Sequence, residues 1–187
     1  MTFTQTKICF LFLFLSFLTS CATSFERDYL DSKFKIQPSM VVAVLPFQNF
    51  TAHPRAGEIV THLMTTELYA LKRFQIMPPP QVKKILDSMK FDSEKLDSME
   101  YLEKVGKNLK VSYLVIGSVS EYQYKKGLGE EPVVGINARL VDLQKKKILW
   151  ASSHSRGGEY FWFSHDSLNR LAQEVCYNMA QSLLENE

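Results

Sequence analysis

The sequence predicts an α/β fold of the α+β sandwich kind, in which a mixed β-sheet is flanked by helices. Three observations carry this prediction. Residues 40–47, MVVAVLPF, form a continuous β-branched apolar run, which is typical of a strand covered on both faces. Residues 55–72 and 166–184 repeat apolar side chains with the 3.6-residue period of a helix. Residues 133–143 alternate apolar and polar side chains, as a half-buried strand does.

The elements between these segments follow from the same patterns and from turn residues. Pro54 suits the first turn of the helix over 55–72, and a short strand follows at 73–77. After PPP at 78–80 come two helices, and Ser93 is the predicted cap of the second. Strands are expected at 111–124, 133–143 and 148–152, with KKGLGEEP (125–132) as a turn-rich link, and 153–161 is a further strand candidate outside the predicted order. The predicted order is therefore β-α-β-α-α-β-β-β-α.

The amino-terminal segment has the pattern of an export signal. Lys7 precedes the apolar run 8–18, which is shorter than the roughly 20 residues that span a bilayer. The run ends on Leu18, Thr19, Ser20 and Cys21, and this quartet resembles the bacterial lipobox. The resemblance implies that residues 1–20 are a lipoprotein signal peptide, and that Cys21 carries a diacylglyceryl group and a further acyl chain such as palmitate. An ordinary secretory signal and an uncleaved anchor are the alternatives.

Lipobox rules also bear on location and reach. Ala22, rather than aspartate, follows the cysteine, which favours the outer membrane and its periplasmic face. Residues 22–39 show no clear period, so 21–39 are interpreted as the lipidated cysteine with a tether, and 40–187 as one periplasmic domain. Such a tether reaches at most about 60 Å. The domain would therefore stay close to its membrane.

Composition excludes several classes of protein. With 45% apolar and 22% charged residues, the chain is typical of a globular domain. Its 22 basic and 20 acidic side chains nearly balance, which argues against a nucleic-acid partner. Only Cys176 remains after Cys9 and Cys21 are accounted for, so no intramolecular disulfide is expected. Cys176 itself is interpreted as a small buried hydrophobe, with intermolecular pairing as the alternative.

No pattern of catalytic or metal-binding residues stands out. The four histidines, at 53, 62, 154 and 165, are scattered, and each is expected at the solvated surface. SSHS (152–155) lacks the setting of a nucleophile elbow, and GLG (127–129) lacks that of a phosphate loop. We therefore expect a protein that is not an enzyme and has no cofactor and no metal.

A run of aromatic residues is the candidate interface. Tyr160, Phe161, Trp162 and Phe163 cannot all face one core if they lie on a strand, because alternation sends two to each side. Either a loop or the last helix covers the outer pair, or the pair is a contact surface for another subunit or for lipid headgroups. The same two alternatives apply to Trp150.

Four segments carry a resemblance to a known family. They are VVAVLPFQNFT (41–51), AGEIVTHLMTTELYALKRFQIM (56–77), VSYLVIGSV (111–119) and ARLVDLQKKKILWAS (138–152). Behind a lipobox, this series is similar to the CsgG-like family of bacterial envelope lipoproteins, over about residues 40–184. The family includes the curli secretion channel CsgG, the exopolysaccharide secretion lipoprotein PelC and LpoB, an activator of penicillin-binding proteins.

Two differences between this chain and members of that family indicate which member it resembles most in architecture. The long membrane-inserting hairpins of the curli channel have no counterpart here, and the tether is shorter than the one that lets LpoB cross the cell-wall layer. The PelC-like architecture fits best. The resemblance implies an oligomeric accessory in secretion or assembly across the cell envelope, partnered with itself or with envelope machinery. The alternative is a regulator that binds and activates a peptidoglycan synthase.

Overall fold

The computed structural model describes residues 24–126, 130–158, 160–161, 164–165 and 167–184, and gives only the backbone of residues 126, 130, 160–161 and 164–165. Its strands are β1 (Ser24–Leu30), β2 (Val41–Val44), β3 (Gln48–Asn49), β4 (Gln75–Ile76), β5 (Tyr113–Lys126), β6 (Glu130–Asp142), β7 (Lys147–Gly157), β8 (Tyr160–Phe161) and β9 (Ser164–His165). Its helices are α1 (Ala56–Leu71), α2 (Pro79–Ser88), α3 (Met99–Leu109) and α4 (Leu168–Gln181), with 3-10 turns at Ser93–Lys95 and Ser182–Leu184.

A mixed sheet forms the centre of the fold, as predicted. Its strand order is β1-β7-β6-β5-β2-β4, and β3 pairs with β5 beyond the end of β2. The strands β4, β2, β5 and β3 pair in parallel, whereas β5, β6, β7 and β1 are joined antiparallel. The short β8–β9 pair lies outside this sheet. The predicted fold class is confirmed.

Helices cover the two faces of the sheet unequally. On one face α1 and α4 pack over strands from β2 to β7, and Met64, Val175 and Trp150 belong to this core. On the other face α2 and α3 form a second core with Ala43, Leu114 and neighbouring residues, and this core includes no residue of β7 or β1. The part of that face formed by β7, β1 and the stretch of β6 before Val141, here called the open face, is therefore without a helix among the described residues.

Gly117 ends the apolar part of β5 for a steric reason. A Cβ atom at this position would lie 2.4 Å from Cε2 of Phe47 and 2.5 Å from the carbonyl oxygen of Asn137. Real Cβ atoms do not approach other atoms this closely. The glycine in the VSYLVIGSV segment thus lets the Phe47 ring lie directly on the sheet, which closes the core above β5.

The residues that cap α3 and α4 differ in part from the predicted ones. The helix after residue 93 begins later than expected, because Ser98 Oγ accepts a hydrogen bond from the amide of Tyr101 and caps α3. Asp92 caps only the 3-10 turn at Ser93–Lys95, so Ser93 is not a helix cap. Ser167 caps α4 in the same manner as Ser98, accepting from the amide of Arg170.

The central strands are longer than their sequence patterns predicted. Strand β5 continues to Lys126 and β6 starts at Glu130, so most of the predicted link KKGLGEEP is paired strand. Strand β7 runs without a break from Lys147 to Gly157, which merges two predicted strands into one. Polar ends of strands lack apolar alternation, and pairing with an already formed neighbour extends them beyond what periodicity reveals.

The largest correction concerns the predicted tether. Residues 24–30 form strand β1, which pairs antiparallel with β7 from Ser24 opposite Arg156 to Leu30 opposite Trp150. Six of its seven residues are exposed, and this explains why no apolar period identified it. An irregular segment was expected here, and that expectation is wrong for these residues. The proposed signal peptide, residues 1–20, lies outside the described residues.

Candidate functional site

Strand β1 determines where any lipid on Cys21 would lie. Cys21 and the lipobox residues Leu18, Thr19 and Ser20 lie outside the described residues, but Ser24 follows Cys21 by only three positions. A chain of three residues reaches about 10 Å at most. Ser24 pairs with Arg156 at one end of the sheet, beside Gly157 and Val133. We call this end of the sheet the anchor end.

A partly buried ionisable pair joins β1 to β7. The Nε2 atom of His154 lies 2.9 Å and 3.1 Å from the two carboxylate oxygens of Asp28. His154 is only 4% exposed, and the Asp28 side chain is 21% exposed. Both side chains point to the α4 side of the sheet, where Ser152 and Ser182 lie close to Asp28. The pair therefore fastens β1 to the body of the sheet.

The surroundings of Asp28 hold it in the charged form. Burial alone would raise the pKa of its carboxyl group, but polar contacts with Ser152, His154 and Ser182, together with the charge of His154, leave that pKa below its ordinary value. A carboxyl group with a lowered pKa stabilises the fold above the pKa of the unfolded chain. This contribution is lost as the pH falls below about 4, through the folded-state pKa.

Replacing Asp28 by alanine should therefore weaken the attachment of β1. The change leaves the buried imidazole of His154 without its acceptor, and we expect a loss of about 1–3 kcal/mol in the free energy of unfolding at neutral pH. The variant should also lose part of the stability change seen below pH 4. Urea unfolding at several pH values measures both effects. Arg27→Ala is the matched control, because Arg27 is exposed on the same strand but on the other face of the sheet, opposite Ser153, and a loss as large as that of Asp28→Ala would contradict the assignment.

A second ion pair holds the other end of β1. Lys147 Nζ lies 2.7 Å from a carboxylate oxygen of Asp31, and this hydrogen bond is the main cause of the lowered pKa of Asp31. The amide of Asp31 also donates to the carbonyl oxygen of Leu149. The segment that follows the anchor is thus attached to the sheet along its whole length.

Trp150 is not an interface residue, contrary to one of the two interpretations of the sequence. Its side chain is fully buried in the core beneath α4. Its Nε1 atom donates a 2.8 Å hydrogen bond to Ser182 Oγ, which in turn donates to the carbonyl oxygen of Met179. The indole therefore links β7 to the end of α4, and the helix covers it as the alternative interpretation required.

The aromatic run is only partly described. Tyr160 and Phe161 form β8, opposite His165 and Ser164 of β9, and their side chains lie outside the description. Trp162 and Phe163 lie wholly outside the described residues. Because β8 begins three residues after Gly157, the run follows β7 at the anchor end. Its role as an interface stays a prediction.

Two exposed aromatic residues were missed by the sequence analysis. Phe25 is 55% exposed and Tyr29 is 51% exposed, and both lie on β1 at positions of the same parity. Opposite them on β7 lie Ser155 and Ala151, which belong to the open face. The guanidinium of Arg27 lies 5.9 Å from the centre of the Phe25 ring. The even spacing of Phe25 and Tyr29 places both side chains on one face of a strand and could have indicated β1. The charged residues between them obscured this pattern.

The histidines differ in how far they are buried. His62 is exposed, as predicted, but His154 is buried and its predicted surface position is wrong. His53 is half-buried, with its ring 5.0 Å from that of Tyr122. The side chain of His165 lies outside the description. Within the described ranges, no three histidine, cysteine or carboxylate side chains are grouped as metal ligands.

Cys176 lies in the core beneath α4, and the prediction of a buried hydrophobe is confirmed. Burial is the main cause of the strongly raised pKa of its thiol, and the charge of Glu67 adds to it. The neutral thiol is a poor nucleophile, so this cysteine serves packing rather than chemistry.

A wide groove lies between α1 and α2. It encloses about 950 Å³ and has an apolar floor that includes Met77, Val82 and Leu86. Charged side chains of Glu58 and Lys83 stand at its rim, each already paired within its own helix. None of the described helices combines the length and apolar character needed to cross a bilayer.

Solved structures with the same fold come from bacterial envelope proteins. Two crystal forms of the PelC dodecamer from Paraburkholderia phytofirmans match with TM-scores of 0.62 and 0.60. Sequence identities are 22% and 21%, and the matches cover 86% of this chain and 98% and 97% of PelC. Lipoprotein GNA1162 from Neisseria meningitidis matches at 0.58, with 19% identity over 76% of this chain and 99% of its own.

A further match covers a smaller share of both chains. LpoB from Escherichia coli reaches a TM-score of 0.51 with 14% identity, over 66% of this chain and 59% of LpoB. No protein-family model and no curated protein sequence matches the chain. The comparisons therefore support the PelC-like architecture expected from the sequence, at the level of the fold.

Proposed function

We propose that the chain is a lipoprotein of the bacterial cell envelope, held by acyl chains on Cys21 at the periplasmic face of the outer membrane. It acts there as an oligomeric accessory in secretion or assembly across the envelope, by binding rather than by catalysis. The observation that carries this proposal is the position of β1. A strand that starts three residues after the lipidated cysteine and is fixed to the sheet makes the membrane anchor part of the fold.

The short connection between Cys21 and β1 favours a partner at the outer membrane over a peptidoglycan synthase. If residues 21–23 are the only link between lipid and sheet, the anchor end stays within about 10 Å of the headgroups. A domain held this closely can act on material that passes the outer membrane beside it. A regulator of peptidoglycan synthases, the alternative suggested by the likeness to LpoB, would have to reach away from that membrane.

Assembly of several copies is supported by the fold and by uncovered surfaces. PelC, whose fold this chain shares over 86% of its length, was crystallised as a dodecamer. The open face and the groove between α1 and α2 leave apolar area uncovered, including Phe25 and Tyr29. The aromatic residues Tyr160, Phe161, Trp162 and Phe163 remain the candidate contact with a neighbouring subunit or with lipid headgroups.

The native mass of the full-length lipidated protein tests this proposal. In mild detergent we expect a closed oligomer with several times the monomer mass, and a monomer would overturn the oligomeric part. Replacing Trp162 and Phe163 by serine should leave a folded chain and abolish assembly. The matched control is Tyr177→Ser, which removes a 51% exposed aromatic side chain from α4 and should leave the mass unchanged. An unchanged mass in the double variant removes the aromatic run as the interface.

A further inference from the structure

The end of the sheet opposite the anchor end carries a concentration of lysine residues in two adjoining clefts. The first cleft, of about 370 Å³, lies between the loop after β1 and the β6–β7 turn. The second, of about 560 Å³, lies between α3 and the same turn. Together they are lined by seven lysines, which we call the lysine pole: Lys33, Lys35, Lys145 and Lys147 in the first cleft, and Lys104, Lys107 and Lys146 in the second.

The acidic residues of these clefts do not balance the lysines. Four carboxylates line the clefts, so the pole has a net charge of +3, whereas the whole chain has +2. Asp31 already binds Lys147, and Glu103 lies 2.5 Å from Lys146 Nζ. Asp142 is buried and accepts hydrogen bonds from the amides of Gln144 and Lys145, which holds the turn together. The two clefts thus carry an excess of positive charge.

Local structure accounts for only some of these lysines. Lys107 lies in the last turn of α3, where a cation complements the helix dipole. Lys33 and Lys35 lie in a loop, and Lys145 lies in the β6–β7 turn 3.8 Å from the buried Asp142. These three side chains are exposed and lie at no helix end. The ammonium groups of Lys33 and Lys35 are available to an external anion, and that of Lys145 is exposed although it lies within 3.8 Å of Asp142.

The pole faces away from the proposed membrane anchor. Strand β1 runs from the anchor end to the pole, and its seven residues span about 20 Å at roughly 3.3 Å each. This distance is more than twice the Debye length of about 8 Å at physiological salt. Headgroups beside the anchor on Cys21 therefore lie beyond the electrostatic reach of the pole. This step rests on the proposed lipid anchor.

The chemistry of the pole indicates a hydrated polyanion rather than a protein. Protein interfaces are depleted in lysine and need an apolar centre, and the clefts contain no arginine and none of the large exposed apolar side chains. Lysine binds anions as a point charge without a fixed geometry, which suits a repeating charged chain. The aromatic rings of Phe34 and Tyr113 line the first cleft between the lysines and offer apolar contact to a sugar ring.

We propose that the lysine pole binds an anionic glycan, a polymer of sugar units with carboxylate or sulfate groups, on the side of the domain remote from its membrane. The first cleft holds a sugar unit between the loop and the turn, and the second continues the positive surface for the adjoining units. The chain would then hold a charged polymer about 20 Å from its own lipid anchor.

Binding of defined polymers to the full-length protein tests this proposal. Polygalacturonate, a carboxylated glycan, and dextran sulfate are the probes, with neutral dextran as the uncharged control. We expect binding of both anionic glycans that weakens as salt is raised, and none of dextran. The triple variant Lys33→Gln, Lys35→Gln and Lys145→Gln should bind the anionic glycans at least about tenfold more weakly, because three ammonium contacts are lost.

A matched variant and a second polymer make the result decisive. Lys83→Gln, Lys84→Gln and Lys90→Gln remove the same charge from exposed positions on and after α2, and should change the affinity less than twofold. Equal losses in the two triple variants would overturn the pole as the site. Equal or tighter binding of poly-glutamate would indicate an acidic protein instead of a glycan. The same binding is measured with the Cys21→Ala protein. If that protein still binds the anionic glycans, the lysine pole is supported whether or not the proposal of a lipid anchor is correct.

Discussion

Replacing Trp150 by alanine is expected to lower the free energy of unfolding by about 3–5 kcal/mol. The indole is completely buried between β7 and α4, so its removal leaves a cavity that the surrounding core cannot fill. It also deprives Ser182 of the hydrogen bond from Nε1, at the point where α4 ends. The loss approaches the total stability of many single domains. Chemical denaturation followed by circular dichroism would measure it.

Two control variants separate these contributions. Trp150→Phe keeps most of the apolar volume and removes the donor, so its loss should be clearly smaller than that of Trp150→Ala. Ile148→Ala, at a 38% exposed position of the same strand, should change stability by no more than about 0.5 kcal/mol. A fully stable Trp150→Ala protein that fails to assemble would restore Trp150 as an interface residue.

Replacing Cys21 by alanine is expected to move the protein from the membrane fraction to the soluble periplasmic fraction. A thiol is required to accept the diacylglyceryl group, and each buried CH₂ group of the acyl chains contributes about 0.8 kcal/mol to membrane attachment. Strand β1 starts only at Ser24, so the substitution should leave the fold and its stability unchanged. Fractionation and mass spectrometry of the amino-terminal peptide provide the measurement.

The control for this experiment is the neighbouring Ala22→Ser change, which keeps the thiol and should keep the protein in the membrane fraction. Unmodified Cys21 in the wild-type protein, or membrane association of a Cys21→Ala protein from which residues 1–20 have been removed, would contradict the lipid anchor. An oligomer that forms in the Cys21→Ala protein would show that assembly depends on the folded domain and not on the lipid.

Sequence patterns identified the elements whose burial leaves a periodic trace. The apolar run 41–44 and the stripes of α1 and α4 were predictable because one or both of their faces lie in the core. Strand β1 left no such trace. Its residues are almost all exposed, and it is held by pairing with β7 and by Asp28 and Asp31, two contacts that join positions more than a hundred residues apart.

The candidate site was predictable to a smaller extent for the same reason. A lipobox is a local signal, and Cys21 could be named from four adjacent residues. The buried state of His154 depends on Asp28, and that of Trp150 depends on Ser182, so neither could be inferred from the local sequence. The lysine pole likewise joins a loop, a turn and a helix that are distant along the chain and meet only in the folded sheet.

The free edge of β1 has a consequence for the symmetry of any assembly. Two copies of β1 can extend one sheet across a two-fold axis only in an antiparallel register. In each such register, the residue at the axis lies opposite its own copy. The registers that overlap five or more residues place Glu26, Arg27 or Asp28 against its own copy. Like charges directly opposite destabilise a strand pair. This strand therefore disfavours closed edge-to-edge dimers and leaves the head-to-tail contacts from which rings are built.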